Sequence, residues 1–488
     1  MLPFQTLLQP DKQLKQHVYQ QIAGRLINLI QEGILQPGSY LPGSRVMADL
    51  LQLHRKTVIA AYEELLSQDW IVAIPRKGMM VATNLPLMKP RSYQPAVSPY
   101  AQTPGFRFNT QIPSLPAQVA PTKTRLVVND GAPDVRLAPL EEWIKACRSI
   151  IQSPQYPKRL TQGPTAGSEN LRQETIRYLS HTRGLRLDLQ NILITRGAQM
   201  AIYLAASLLV KKGDAVIVAS PNYFYADQCF EQLGAQLLRV PADQDGIDTD
   251  AVEQLCRTRK IRCLYIISHH HHPTTVTLSA VRRMKLLQLI RTYQLAVIED
   301  DYDYDYHYPT APILPLASAD HGGHVIYIGS MTKSLGLSIR IGYMIAPAAF
   351  IEAATALRRL MDLRGDNLSE EALALLLADG TIERHLKKSN KIYHERRDLL
   401  CRLLTAKLGD AVDFVPPNGG MALWLPFHRR HPLPVLATKA AAQGVAISDG
   451  AHYNYGGLSL NALRFGFASL NPKEITTVVN ILAGILQT

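Results

Sequence analysis

Five short apolar runs, separated by stretches with helical periodicity, most constrain what this chain can fold into. They lie at 191–195, 215–219, 262–267, 295–299 and 324–329. Each reads as a buried strand. Strands alternating with helices give a mainly parallel sheet covered by helices, the α/β class. Ligands of such sheets bind beyond the carboxyl ends of the strands. The residues just past those ends therefore carry the chemistry.

After the last run comes Ser330-Met331-Thr332-Lys333-Ser334-Leu335, continued to Arg340. The run before it ends in Asp300-Asp301-Tyr302. This set suits an aldehyde cofactor with a phosphate tail. A lysine forms the imine, a carboxylate holds a ring nitrogen protonated, and Ser plus Arg grip the phosphate. Lys333 alone would be an ordinary surface lysine; the combination points to the cofactor. Of the two aspartates, Asp300 is the expected ring partner and Asp301 is expected to orient the loop.

Three further places fit the same reading. Arg196-Gly197-Ala198-Gln199 follows a strand and opens a helix, where bare N–H groups suit a phosphate. Tyr223, after the next strand, could stack on a flat ring or could be a packed loop aromatic. Arg464 sits in the apolar strand Ala462-Leu463-Arg464-Phe465-Gly466, where an anionic ligand carboxylate or an internal salt bridge would satisfy it. The run His269-His270-His271-His272 invites a metal reading. Adjacent side chains cannot all converge on one ion, so a polar loop is expected and no metal. The alternation Asp301-Tyr302-Asp303-Tyr304-Asp305-Tyr306 has no explanation in the sequence.

Residues 1–84 form a different module. Leu14, Val18, Ile22 and Leu26 recur every fourth residue, which predicts an amphipathic helix over 12–32. Ser44 is placed to cap a short helix through Leu51. A third helix is expected to about Gln68, with Val58, Tyr62, Leu65 and Leu66 on its apolar face. Arg55, Lys56 and Thr57 stand at its start. Two short helices joined by a tight turn, with cations and a hydroxyl opening the second, suit a DNA major groove. Residues 71–82 predict two strands around Pro75-Arg76-Lys77-Gly78, a basic wing. This module has eight basic and six acidic residues, so the argument rests on the placement of Arg45, Arg55, Lys56, Arg76 and Lys77, not on total charge.

Residues 85–125 hold eight prolines, five basic residues and no acidic one. That composition favours an extended tether. Its charge could also touch DNA phosphates or another domain. The whole chain of 488 residues carries a net charge of +12, a weak pointer to an anionic partner. Its five cysteines are scattered, which suits a reducing compartment. No apolar run is long enough to span a bilayer and none at the start suits a signal peptide, so a cytoplasmic location is expected.

The elements Leu41-Pro42-x-Ser44-Arg45, Arg55-x-Thr57-Val58, Ala61-Tyr62-x-x-Leu65 and the wing at Gly78 resemble the winged helix-turn-helix of GntR-type bacterial regulators. That resemblance implies DNA contacts from Ser44, Arg45, Arg55, Lys56, Thr57, Lys77 and Gly78. The wing departs from the family at Met79-Met80, where a second glycine is usual. Residues 126–488 resemble fold-type-I aminotransferases that use pyridoxal 5′-phosphate. The matching stretches are Asn129-Asp130-Gly131-x-Pro133-Asp134, Ile298-Glu299-Asp300-Asp301-Tyr302-Asp303 and Ser330-x-x-Lys333-Ser334-Leu335 with Arg340. Together the two parts look like the MocR subfamily of GntR-type regulators. By that resemblance Lys333 forms the internal aldimine, Asp300 pairs with the pyridinium nitrogen and Tyr302 meets the ring hydroxyl. Ser330, Arg340 and Gly197, Ala198 and Gln199 hold the phosphate, Tyr223 stacks on the ring, and Arg464 takes an α-carboxylate.

Two departures bear on catalysis. Ser168 stands where these aminotransferases carry a tyrosine that reaches a phosphate across the dimer. His272-Pro273-Thr274-Thr275 replaces the usual Asn-Pro-Thr-Gly loop, and His272 either takes over the asparagine's contact or is only part of the histidine run. Regulators of this group that bind γ-aminobutyrate have an arginine where this chain has Tyr225, which weighs against that ligand. The expected function is a homodimeric transcriptional regulator that binds a double-stranded DNA operator. It would sense pyridoxal phosphate, an amino compound, or both. The alternatives are a working aminotransferase and a vestigial cofactor domain kept for dimerisation.

Overall fold

The computed structural model describes residues 2–11, 16–85, 103–107, 126–157, 163–308, 313–336, 339–454 and 459–487. The chain divides into two compact units, Met1–Asn109 and Thr110–Thr488. Apart from Leu85 and residues 103–107, the proline-rich stretch expected as a tether lies outside the described residues. No helix of the described residues is long and apolar enough to cross a membrane.

The first unit has a short helix Phe4–Leu7, then helices Val18–Gln31, Ser44–Leu51 and Arg55–Ser67, then β1 (Ile71–Ile74) and β2 (Gly78–Val81). Ile22, Leu26, Met47, Val58, Ala61, Leu65 and Val81 form its core. The first long helix starts later than its periodicity predicts. Leu14 lies outside the described residues, and His17 stands at the capping position. The cause is Gln21: its amide accepts from the Asp11 N–H and donates to the Gln16 carbonyl, tying down the chain ahead of the helix.

Ser44 does not cap its helix. Gly43 occupies the capping position, and Ser44 is the first helical residue. Its hydroxyl accepts instead from Arg55 Nε at 3.2 Å, which links the starts of the two short helices. His54 caps the second through Nδ1, accepting from the Lys56 N–H. Tyr62 OH donates to the Pro42 carbonyl at 2.7 Å and ties the second helix to the segment that leads into the first. β1 and β2 pair antiparallel, Ile71 opposite Val81. Arg76 and Gly78 both adopt positive φ at the tip, 64° and 105°, and at Gly78 only glycine does so without strain. Met79 and Met80 have structural partners. Met79 packs on the core and its carbonyl accepts from Leu41 N–H, while Met80 bridges to Tyr40.

The second unit holds an eight-stranded sheet. In chain order its strands are β4 (Ile192–Thr195), β5 (Ala215–Ser220), β6 (Gln236–Asp243), β7 (Gly246–Ile247), β8 (Ile261–Ile266), β9 (Ala296–Asp301), β10 (Val325–Ser330) and β11 (Gly342–Ile345), after a two-residue strand β3 (Leu126–Val127). They lie in the order β4-β11-β10-β9-β8-β5-β6-β7. β6, β5, β8, β9 and β10 run parallel, while β11 is antiparallel to both β10 and β4. The uniformly apolar strands follow from burial on both faces. Val216, Val218, Tyr265 and Ile298 point into one core with the helix Gly197–Leu209. Ile217, Ala219, Leu264 and Val297 point into the other with the helix Ala280–Tyr293. Beyond the sheet, β12 (Ala422–Pro426) pairs with β14 (Ala462–Gly466), and β13 (Val445–Ala446) with β3.

Candidate functional site

The carboxyl ends of β9 and β10 lie side by side, with Asp300 opposite Ile328 and Asp301 opposite Gly329. Successive residues of a strand face opposite ways, so the three acids ending β9 meet different surroundings. Glu299 accepts from the N–H groups of Leu316 and Ala317. Asp301 accepts from Tyr327 OH at 2.9 Å and pairs with His269, 3.2 Å away, which ties it to the loop after β8. Asp300, 1% exposed, accepts from Tyr265 OH at 2.7 Å through Oδ2. Its Oδ1 is buried and, among the described residues, has no hydrogen-bond partner.

Burial pushes the Asp300 carboxyl up to about 7, Tyr265 opposing and Asp301 and Asp303 adding to the rise. The cofactor-free protein should show this. Between an unfolded value near 3.8 and a folded value of about 7 the native state binds the extra proton. Stability from this group is therefore greatest below about pH 4 and is lost as the pH rises to about 7. Urea unfolding from pH 4 to 8 checks it. Wild type should lose stability relative to Asp300→Asn across that window; parallel profiles would contradict the assignment.

Lys333 follows β10 in the short helix Thr332–Leu335. Its Nζ donates to the Gly131 carbonyl at 2.7 Å and lies 5.7 Å from the centre of the Tyr302 ring. Desolvation lowers its pKa, with Asp303 and Asp130 opposing, which favours the neutral nucleophilic amine. Tyr302 OH donates to the His270 carbonyl and accepts from Arg464 Nη2 at 3.0 Å. Ser330 Oγ accepts from the Thr332 N–H at 3.2 Å.

Two of the groups expected at the phosphate, Gly197 and Arg340, meet. Gly197 has φ +73°, and a Cβ there would lie 2.7 Å from Arg340 Nη2. The glycine lets the guanidinium sit against the backbone. Gly197, Ala198 and Gln199 are the first turn of a helix whose capping position, Arg196, gives no side-chain cap. The Gln199 amide donates to the Tyr225 carbonyl at 3.3 Å. Tyr223 meets His272 edge-on, with ring centres 5.1 Å apart.

His272 is committed elsewhere: its Nε2 lies 2.6 Å from Asp130 Oδ2. Arg464, 3% exposed, donates to the Pro273 carbonyl at 2.9 Å, and its Nε lies 3.2 Å from Asp130 Oδ1. Of the two readings of Arg464, the internal salt bridge is present, with Asp130, a residue given no role from the sequence. Asp130 is 334 residues from Arg464, and only its place in the Asn129-Asp130-Gly131 motif hinted at it. Tyr265 was missed too, because a tyrosine inside an apolar strand carries no mark of an acid partner.

The other histidines diverge. His269 takes Asp301, His270 takes Asp303 at 3.0 Å, and His271 takes Thr274 Oγ1 at 2.8 Å. The acidic and aromatic alternation now has a cause. The segment is largely buried, so its acids need partners: His269 and Tyr327 for Asp301, His270 for Asp303, Arg183 and Tyr178 for Asp305. Tyr306 OH donates to the Lys333 carbonyl and steadies the lysine's helix. Ser168 is buried, caps the helix Glu169–Arg183, and its hydroxyl donates to Glu371. In the first unit Arg45, Arg55, Lys56, Lys77 and Gly78 are exposed, and Ser44 and Thr57 are half-buried.

The model of the family described as aminotransferase class I and II matches residues 121–482. That of bacterial regulatory proteins, gntR family, matches residues 18–81. The probable rhizopine catabolism regulatory protein MocR of Rhizobium meliloti is 26% identical, over 97% of this chain and 94% of its own. The HTH-type pyridoxine biosynthesis transcriptional regulator PdxR of Corynebacterium glutamicum is 26% identical, over 94% of each chain. Among solved structures, the alpha-aminoadipate aminotransferase LysN of Thermus thermophilus, complexed with N-(5′-phosphopyridoxyl)-L-leucine, superposes with a TM-score of 0.69. It is 26% identical, covering 74% of this chain and 92% of LysN. The chain belongs to the aminotransferase class I and II family and carries a GntR-family helix-turn-helix module ahead of that domain, the arrangement of the MocR-type regulators.

Proposed function

We propose that this chain is a DNA-binding transcriptional regulator that senses pyridoxal 5′-phosphate, an amino compound, or both, through Lys333. The observation that carries the reading is that a desolvated amine, Lys333 Nζ, and a buried carboxylate oxygen without a hydrogen-bond partner among the described residues, Asp300 Oδ1, stand at the ends of two neighbouring strands in a chain that carries a GntR module. When bound, the cofactor supplies a reversible covalent link to an amine and an electron-withdrawing ring. Asp300 Oδ1 is free to accept from a protonated ring nitrogen. Carboxylates beside such a nitrogen typically hold it charged by ~1–3 pKa units. Tyr223 offers a ring face. Arg340, Ser330 and the N–H groups of Gly197, Ala198 and Gln199 offer a dianion cradle.

Two exposed leucines, Leu360 and Leu363 (84% and 70%), offer apolar surface for a second copy. Leu363 is tied through its carbonyl to Thr165, near Ser168. A homodimer suits paired operator half-sites.

A second reading is a working aminotransferase, because the chain retains Lys333, Asp300 and Arg464. Ser168 counts against efficient turnover: its short side chain is spent on Glu371. Incubation with an amino donor and a keto acid should give turnover far below the ~1–10³ s⁻¹ of ordinary enzymes. Sustained turnover within that range would make catalysis the main function.

A further inference from the structure

The segment Asn129-Asp130-Gly131 touches the pocket at two adjacent points. Gly131 presents its carbonyl to Lys333 Nζ, and Asp130 presents its carboxylate to Arg464. The segment is held by Asn129, whose Oδ1 accepts from the Gly131 and Ala132 N–H groups and whose Nδ2 donates to Ser469 Oγ at 2.7 Å.

The Asp130 carboxylate faces four groups. Its Oδ2 lies 2.6 Å from His272 Nε2; its Oδ1 accepts from Tyr453 OH at 3.1 Å and lies 3.2 Å from Arg464 Nε. His452 lies near enough for its charge to be felt, and its ring centre is 3.9 Å from that of Tyr453. Burial differs sharply across the ion pair. The side chain of Asp130 is 51% exposed and that of Arg464 only 2%. The arginine cannot leave; the aspartate can swing to water at little desolvation cost. The ion pair is also incomplete, since Arg464 Nε is close to Asp130 without the alignment of a hydrogen bond. A ligand carboxylate can meet a guanidinium edge with two parallel hydrogen bonds. It cannot do so while Asp130 holds the position, because two carboxylates a few ångströms apart repel.

We propose that Asp130 is an internal surrogate for a ligand carboxylate: it neutralises Arg464 until the carboxylate of an amino acid replaces it. The exchange releases Asp130 beside the Gly131 carbonyl that holds Lys333 Nζ, so the acid end of the ligand is recognised next to the lysine whose link to the cofactor aldehyde the ligand's amine would displace. This rests on the reading of the pocket as an amino-compound sensor and adds the ligand class: a primary amine bearing a carboxylate.

The test uses the full chain, as wild type, Asp130→Asn and Tyr453→Phe, titrated calorimetrically with two half-ligands. Propionate has the carboxylate without the amine, and ethylamine the amine without the carboxylate. Propionate affinity should rise at least tenfold in Asp130→Asn and two- to threefold in Tyr453→Phe, which loosens Asp130 but keeps its charge. Ethylamine affinity should stay within twofold in both. The thermal midpoint of Asp130→Asn should fall, and propionate should restore it. Propionate affinity unchanged or weaker in both variants would overturn the proposal, as would an equal gain for ethylamine. Propionate forms no link to Lys333, so this result stands apart from the cofactor reading. On the same samples, the absence of a visible band on adding pyridoxal phosphate would count against that reading alone.

Discussion

Replacing Lys333 by alanine should abolish the visible band expected of the wild-type chain with pyridoxal phosphate and weaken binding at least a hundredfold, about 2.8 kcal/mol. On the proposed reading Arg340, Ser330 and Asp300 would still meet the phosphate and the ring, so weak binding should survive. What the variant lacks is the covalent link, and none of Asp300, Arg340 or Ser330 can form one. The variant should fold. The contact that steadies the lysine's helix, from Tyr306 OH, goes to the Lys333 carbonyl, which alanine keeps. The side chain's own hydrogen bond goes to the Gly131 carbonyl, and that segment remains pinned by Asn129. Absorbance titration with circular dichroism as a folding control checks it. A band of wild-type strength in Lys333→Ala would mean that another amine carries the link.

The second large effect falls in the other unit. Arg55→Ala with Lys56→Ala should weaken DNA binding about 30-fold at 0.15 M salt and lower the log–log salt slope by about 1.8, if each cation neutralises one phosphate at ~0.9 per contact. Both side chains are exposed at the start of the helix Arg55–Ser67. Arg55 also bridges to Ser44, but exposed contacts of this kind are worth only about 0.5 kcal/mol, so the fold should hold. Cofactor absorbance should be untouched. Affinity measured from 50 to 300 mM salt checks the prediction, and an unchanged slope would remove these residues from the DNA contact.

The fold was legible where local pattern dominates. The five apolar runs are strands because both faces of the sheet are covered, which leaves no polar alternation to blur the reading. The candidate residues Asp300, Tyr302, Ser330, Lys333 and Arg340 could be singled out because they cluster at and after the ends of two neighbouring strands. Long-range pairing was not. Arg464 meets Asp130 and Tyr302 from a distant strand, and Ser168 finds Glu371 on another helix. Local rules also failed where a side chain had a better distant partner. Ser44 gave its hydroxyl to Arg55, and Gln21 holds the Asp11 N–H and the Gln16 carbonyl ahead of the helix start at Val18. The aspartate and tyrosine alternation made no local sense because its causes, His269, His270, Arg183 and Tyr327, lie on other segments.

Chemistry at Lys333 is proposed to change how the chain binds DNA. Its most direct test is fluorescence anisotropy on a labelled fragment selected from random sequence by this chain, read with pyridoxal phosphate alone and then with an amino acid added. Wild type should shift its DNA affinity at least fivefold on one of the two additions, the lower end of ordinary allosteric coupling, about 1 kcal/mol. Lys333→Ala should bind the fragment but show no shift. Equal shifts in both proteins, or none in a wild type that displays the visible band, would contradict the account.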